Sequence, residues 1–499
     1  MKLICRRALL LLMLLCAVTA YSKNNQSLKR EFRGAWIQAV NGQFLNMQPD
    51  EMRAYLTDML DNLQLANVNA IIFQVRVEGD ALYDSQYEPW SRYLTGVQGV
   101  PPGWDPLEFM VEEAHKRNME LHAWINPYRA RTKGTQKVAP EHQSRLHPER
   151  FIAYEGQLYF NPALKENRDH ICKVVKEIVS NYDVDGLHID DYFYPYPSKG
   201  KEFDDEEFFK RSKAADKGDW RRENVNRLIL QLHQTVREAK PWLKFGVSPF
   251  GIYRNASESV PHGSNTKGLQ SYDELYADVL HWINEGWVDY CIPQVYWEIG
   301  HKAADYETLV HWWAANASNR PLYIGQDVNR TVRAADVNNP SRHQLPAKME
   351  IQRSEKAVMG SCLWDAASAA KNVGSYRDVL QHQYHRYPAL MPEMPFIDKK
   401  APKKLKGVRV IDTEDGKVLL WQGREKDGQD PMNAPWRYVV YCFAKGEKVN
   451  LNKTQNIVAI TSSIYYKIPE SEKGKRTYVV TVLDRMQNES KGVKYKVKK

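Results

Sequence analysis

Asp190 and Asp191 end the run Asp185-Gly186-Leu187-His188-Ile189 and open an aromatic stretch, Tyr192-Phe193-Tyr194-Pro195. Two neighbouring carboxylates ringed by tyrosines suit hydrolysis of a sugar–sugar bond. One carboxylic acid protonates the departing oxygen, and a second attacks, activates water or stabilises an oxocarbenium-like centre. Adjacent residues of an extended chain point to opposite sides, so the two do not form a flanking pair alone. Asp190 is the first candidate for the inward catalytic carboxylate. Its partner is Asp191 turning with the loop, or Glu78, Asp80 or Glu298 from neighbouring segments. The competing reading is an Asp-Asp pair that holds the loop or, with His188, a metal. Two carboxylates and one imidazole are few ligands for that role.

Something must bring those segments together. Short apolar runs recur at Arg33–Ile37, Ala70–Val75, Glu120–Ile125, Gly186–Asp190, Lys244–Ser248, Asp289–Gln294, Leu322–Gly325 and Gly360–Leu363. Amphipathic stretches lie between them: Pro49–Leu65, Asp105–Lys116, Asn167–Asn181, Arg221–Ala239 and Tyr272–Glu285. Asp105-Pro106 and Ser271-Tyr272-Asp273-Glu274 carry helix-start signals. This rhythm predicts an α/β chain with a (β/α)8 barrel over residues 29–387. A doubly wound sheet is the competitor, but no Gly-x-Gly-x-x-Gly follows the first strand. Side-chain alternation then places Gln74, Arg76, His122, Trp124, Asn126, His188 and Asp190 on the barrel's inner side, with Ser248 and Gln294 closing the fifth and sixth strands. His122 and Ser248 fit hydrogen-bonded interior positions better than contacts to a substrate.

Aromatic residues crowd the same rims: Trp36, Trp124, Tyr128, Tyr192, Tyr194, Tyr253, Tyr296, Trp297 and Trp364. Flat rings stack on the apolar faces of pyranoses while polar neighbours take the hydroxyls. The expected glycan-binding set is Trp36, Gln74, Arg76, Asp80, Trp124, Asn126, Arg129, His188, Tyr192, Tyr253, Gln294, Tyr296, Trp297 and Trp364. Trp312-Trp313 lies in a helical stretch and reads as core.

The texture changes at Pro388. Residues 388–406, rich in Pro and Lys, read as a linker. Residues 407–499 show short alternating runs separated by turn residues, as in a small all-β, immunoglobulin-like sandwich.

At the other end, Lys2, Arg6 and Arg7 precede the apolar run Ala8–Val18, and small residues follow. This reads as a signal peptide over residues 1–20, placing the chain in the periplasm or outside the cell. The run is too short to span a membrane. Lipid attachment at Cys16 is disfavoured because Leu15 occupies the position of a small residue. The 499-residue chain is 43% hydrophobic and 26% charged, which excludes a disordered tail, a collagen or a disulfide mini-scaffold. Its net charge of +9 is spread too thinly for a nucleic-acid partner. Cys172, Cys291, Cys362 and Cys442 share no metal-binding spacing and read as buried thiols. No metal and no cofactor is expected, and oligomeric state is not legible.

Arg33-Gly34-Ala35-Trp36, Phe73-Gln74-Val75-Arg76, His122-Ala123-Trp124-Ile125-Asn126-Pro127-Tyr128-Arg129, Asp185–Pro195, Phe245-Gly246-Val247-Ser248-Pro249-Phe250-Gly251 and Pro293-Gln294-Val295-Tyr296-Trp297 together resemble the glycosyl-hydrolase-like family ten. That family of bacterial extracytoplasmic proteins includes a division-site peptidoglycan glycosidase that acts on denuded glycan strands. The resemblance covers residues 29–387 and implies a glycosidase of amino-sugar glycan. The tail resembles a fibronectin type III domain. The fourth-strand motif also resembles the Asp-Gly-x-Asp-x-Asp-x-Glu pattern of family eighteen chitinases. Here His188 replaces the first inner Asp, Asp190 matches the second, and Tyr192 stands in the place of the catalytic Glu. An acid must therefore come from elsewhere, Asp191 or Glu298, while Asp190 is placed to orient an acetamido group. The leading expectation is a secreted glycoside hydrolase of peptidoglycan strands. A hydrolase of another environmental polysaccharide and a non-catalytic carbohydrate-binding barrel are the alternatives.

Overall fold

The computed structural model describes residues 27–497 apart from 46, 135–136, 317–319, 424–430 and 473, so the expected signal peptide and Cys16 lie outside the described residues. Eight parallel strands close into a barrel: β1 (Phe32–Ile37), β2 (Ala70–Arg76), β3 (Glu120–Ile125), β4 (Gly186–Ile189), β5 (Lys244–Val247), β6 (Tyr290–Cys291), β7 (Leu322–Asp327) and β8 (Val358–Trp364). They follow one another around the ring, β8 pairing with β1. Among the helices outside it are α1 (Pro49–Leu65), α2 (Pro106–Lys116), α3 (Lys165–Asn181), α4 (Lys217–Ala239), α5 (Val279–Asn284), α6 (Tyr306–Asn316) and α7 (Leu345–Ser354). No described helix is long and apolar enough to cross a membrane.

Strand alternation sorts the core into two bodies. Ile71, Phe73, Val75, Leu121, Ala123, Ile125, Leu187 and Ile189 pack with the helices' apolar faces. Phe32, Trp36, Ile72, Trp124, Tyr290, Tyr323 and Cys362 form a separate cluster inside the ring. That interior is tight enough to require glycine: a Cβ on Gly246 would stand 2.0 Å from Tyr290 Cζ. Asp105 caps α2 as expected, accepting from Glu108 N at 3.0 Å. α5 is shorter than its sequence pattern: Tyr276 takes a left-handed φ of 57°, and the cap moves to Asp278. The local capping signal at Ser271 is overridden because the Ala277 amide bonds back to the Ser271 carbonyl and closes a turn.

A three-stranded ribbon (Arg129–Arg131, Gln157–Phe160, Phe151–Tyr154) rises from the loop after β3. At the C-terminus, β9 (Lys406–Thr413), β10 (Gly416–Gln422) and β13 (Tyr465–Lys467) form one antiparallel sheet. β11 (Arg437–Phe443), β12 (Ile457–Thr461), β14 (Thr477–Leu483) and β15 (Val493–Lys496) form the other. The preceding segment begins as a packed strap: Leu390 exchanges backbone hydrogen bonds with Lys29 and Glu31, and Met391 and Met394 are buried. The C-terminal sheets sit against the N-terminal mouth of the barrel. Met486 joins the interior cluster, and Gln487 Nε2 donates to Glu120 Oε1 at 3.1 Å. Arg437 reaches the Met119 carbonyl at 2.9 Å, and Arg485 pairs with Asp183 at 2.6 Å. All four cysteines named above are free; three are buried and Cys442 is half-buried.

Candidate active site

Asp190 and Asp191 follow directly on β4 at the C-terminal rim, each 3% exposed. Trp124, from β3, donates its indole N–H to Asp190 Oδ2 at 3.0 Å, and Asn126 Nδ2 lies 3.4 Å from Oδ1. Burial, reinforced by the neighbouring Asp191 charge, pushes the Asp190 carboxyl up to about 7 against the lowering influence of Arg129. Asp191 turns toward β6: Gln294 Nε2 donates to its Oδ1 at 2.9 Å and the Tyr196 hydroxyl donates to its Oδ2. Burial also raises the Asp191 carboxyl. The loop thus returns the second aspartate to the same site despite strand alternation.

Four rings stand together here. Trp364, at the end of β8, lies 6.3 Å from Trp36, 6.1 Å from Trp124 and 6.1 Å from Tyr296, the last pair stacked. Trp36 and Trp124 are buried, Tyr296 and Trp364 half-buried, and Tyr192 is 37% exposed at the rim. The carboxylates therefore form the floor of a dish whose upper wall is aromatic and partly open. Arg129 lies beneath the Tyr192 ring, 5.1 Å from its centroid.

Other expected site residues have different partners. Arg76 is fully buried in a two-point ion pair with Glu88 (2.7 and 2.6 Å) and also holds the Asn126 and Pro127 carbonyls, so its donors are spent inside the protein rather than on a substrate. Burial opposes ionisation of Glu88, yet Arg76 and His170 hold it down at about 2. Gln74 turns its carbonyl to the Ala39 and Val40 amides (2.9 and 3.0 Å) and so braces the loop after β1. Glu78 and Asp80, both fully buried, knit loops together: Glu78 accepts from Arg92 Nε (3.0 Å) and the Thr132 amide (2.6 Å), and Asp80 accepts from Gln98 (3.0 Å). Glu298 has its charged neighbour in Lys348, whose ammonium donates to the Trp297 carbonyl at 2.8 Å. Trp297 packs edge-on against Phe250. Tyr253 spends its hydroxyl on Asp278 and stacks on Trp312, while Trp313 is core. Apart from Arg76's hold on the Asn126 carbonyl, none of these contacts joins the dish.

His188 is likewise not at the surface of the dish but beneath it. Its Nε2 lies 3.3 Å from Trp36 Nε1 and 2.9 Å from Ser248 Oγ. An indole N–H only donates, so His188 Nε2 is the acceptor and Nδ1 carries the proton. Nδ1 faces the Tyr290 hydroxyl at 3.1 Å, which in turn faces His122 Nδ1 at 2.7 Å; His122 Nε2 meets Glu120 Oε2 at 3.1 Å. Glu120 pairs with Lys244 at the opposite mouth. Every link donates in one direction, because its two ends allow only that. Burial and His122 hold the His188 imidazole well below its ordinary pKa, and with both nitrogens bonded it has no lone pair for a metal. Two contributors were missed. Tyr290 shares strand parity with Gln294, and Tyr196 continues the Tyr192-x-Tyr194 alternation, so both carried a legible signal.

A closed (β/α)8 barrel with a buried aspartate pair under an aromatic wall fits a glycoside hydrolase, the class that the chain's family and relatives show. The chain belongs to the glycosyl hydrolase-like 10 family, whose sequence profile matches residues 31–343. It is 40% identical over 490 residues to the glycosyl hydrolase YngK of Bacillus subtilis (strain 168), covering 95% of this chain and 94% of that protein. It is 38% identical over 325 residues to the glycosyl hydrolase DigH of Escherichia coli (strain K12), covering 60% of this chain and 74% of that protein.

Proposed function

We propose that the protein is an exported hydrolase of amino-sugar glycan, with peptidoglycan strands as its substrate, and that Asp190 and Asp191 perform the chemistry. The observation carrying this reading is the Asp190 carboxyl, buried at a barrel strand end beside a second carboxylate, where burial raises its pKa to about 7. A general acid works best when its pKa lies near the operating pH. Asp190 donates its proton to the glycosidic oxygen. Asp191, fixed by Gln294 and Tyr196, supplies the negative charge facing the sugar ring as positive character grows at the anomeric carbon. Trp36, Trp124, Tyr296 and Trp364 provide stacking surface. Membership of the glycosyl hydrolase-like 10 family supports a substrate bearing 2-acetamido groups. The basic-then-apolar N-terminal segment supports export, and the C-terminal sheets are assigned as a fibronectin type III-like domain.

Incubation with peptide-free glycan strands and with chitooligosaccharides, read as new reducing ends, tests this. Turnover of the strands is expected, with Asp190→Asn lowering kcat by about 10²–10⁴ while glycan binding persists. Full turnover in that variant, or cleavage confined to glycans without amino sugars, would overturn the assignment.

A further inference from the structure

A cleft of about 700 Å³ opens outside the barrel, between the loop after β2, the segment after β3 and the first turns of α3. It is separate from the dish. Its floor includes Glu88, whose carboxylate accepts from His170 Nε2 at 3.0 Å and from Arg76 at 2.6 Å. Arg76 stands in turn between Glu88 and the Asn126 carbonyl, so a buried ion pair partitions cleft from dish. Two rings line the cleft: Tyr87, 42% exposed, and Trp90, half-buried. Their loop is pinned from beneath. Glu177 of α3, itself buried, accepts from the Tyr83 hydroxyl at 3.1 Å, the Ser85 hydroxyl at 2.6 Å and the Gln86 amide at 2.7 Å. Ser85 Oγ accepts from the Tyr87 amide at 3.2 Å, and the Gly99 amide closes on the Trp90 carbonyl at 2.8 Å. An exposed ring on backbone fixed this way loses little conformational freedom when a ligand settles on it.

The charges around those rings balance. Glu141 and Glu166, both exposed, are matched by exposed Lys173 and half-buried Arg150. The other lining acids, Glu88 and Asp169, are already paired with Arg76 and Lys165. A simple anion or cation gains little from such a lining. A run of pyranose rings gains more: its apolar faces stack on Tyr87 and Trp90, while its hydroxyls and amides, which both donate and accept, meet groups of either sign. We propose that this cleft is a second glycan-binding site, holding a stretch of the polymer away from the bond being cut. This rests on the reading that the protein works on a glycan chain. Occupancy of one site raises the local concentration of the polymer at the other, so the cleft keeps the protein on a strand between cuts without touching the reacting atoms.

The test uses the full chain carrying Asp190→Asn, with chitotetraose and, separately, peptide-free muramyl strands as probes. Either probe is expected to slow hydrogen exchange at residues 85–90 and in the first turns of α3 as well as around the dish. Titration calorimetry with chitotetraose is expected to give two sites per chain. Adding Tyr87→Ala is expected to weaken one of the two by about 3–10-fold, the worth of one ring contact, and to remove the protection at residues 85–90 while that at the dish persists. The exchange measurement needs no substitution in the cleft, so it decides even where Tyr87→Ala fails to fold. Protection confined to the dish, unchanged affinity in a folded Tyr87→Ala chain, or binding of neither probe overturns the second site. The hydrolase reading is judged separately, by turnover in the wild type. Protection at the cleft with no glycan cleaved by the wild type supports the second site and overturns that reading.

Discussion

Trp124 Nε1 sits 3.0 Å from Asp190 Oδ2, joining neighbouring strands of the barrel across its rim. The indole is at once a wall of the dish and the donor that restrains the carboxyl's pKa. Burial drives that pKa up, and donation to the carboxylate form pulls it down.

Trp124→Phe keeps a ring and removes the donor. The ionised form of Asp190 loses support, so the pKa rises further. Wild-type kcat/KM is expected to fall as pH rises through about 7, where Asp190 gives up its proton. The variant's alkaline limb is expected to lie about 1 unit higher, the effect of one hydrogen bond to a charged group. A pH–rate profile of both proteins on one glycan decides; an unmoved limb removes the indole from control of the acid.

The same shift predicts a stability signature. A carboxyl whose folded pKa exceeds its unfolded value favours the folded state while protonated, and that contribution is lost as pH rises through the folded pKa. Wild-type stability therefore declines between about pH 4 and pH 7 on account of Asp190. Asp190→Asn carries no charge to bury. It is expected to gain roughly 4 kcal/mol over the wild type at pH 8 relative to pH 4. Denaturant unfolding at both pH values measures the difference.

Tyr290→Phe breaks the buried chain between His188 and His122. Two imidazole nitrogens are left without partners in the barrel interior, a destabilisation of about 2–4 kcal/mol at 1–2 kcal/mol each. His188 also loses the contact that holds its proton on Nδ1, so its grip on Trp36 and Ser248 loosens. KM on a ring-stacking glycan is expected to rise more than kcat falls. A variant with wild-type stability and KM would show the chain to be dispensable.

The C-terminal sheets are expected to be a structural part of the barrel. Arg437 and Gln487 satisfy the Met119 carbonyl and Glu120, and Met486 fills space among the interior rings. Arg437→Ala should cost about 1–3 kcal/mol through the carbonyls it leaves unpaired. A chain ending after residue 405 is expected to melt well below the full protein, which is expected to show no separate C-terminal transition. Independent melting of the two parts, seen by calorimetry, would contradict this.

Much of the barrel was readable because alternation is local. Ile71, Phe73 and Val75 announce a strand with one face toward helices, and the same parity places Trp124 and Gln294 at the rim. The spans of β1 to β8 differ from the sequence pattern by a few residues at their ends. Parity was less informative about α5, where a turn closed by Ser271 displaced a well-formed capping signal to Asp278.

By itself, the sequence determined which residues are inward, which strand ends carry carboxylates and rings, and hence the class of chemistry. Those are properties of the chain within a few residues of each atom. Only tertiary structure decided the partners. Arg76 and Glu78 have the right type, parity and position for a site, but the following loops, bearing Glu88, Arg92 and Thr132, fold over and take their polar groups. Arg129 has no more local signal than Arg76, yet its buried NH2 group finds no acceptor among the described residues. Whether a buried charge is satisfied depends on groups brought within about 3 Å by the whole fold, and no local pattern encodes that distance.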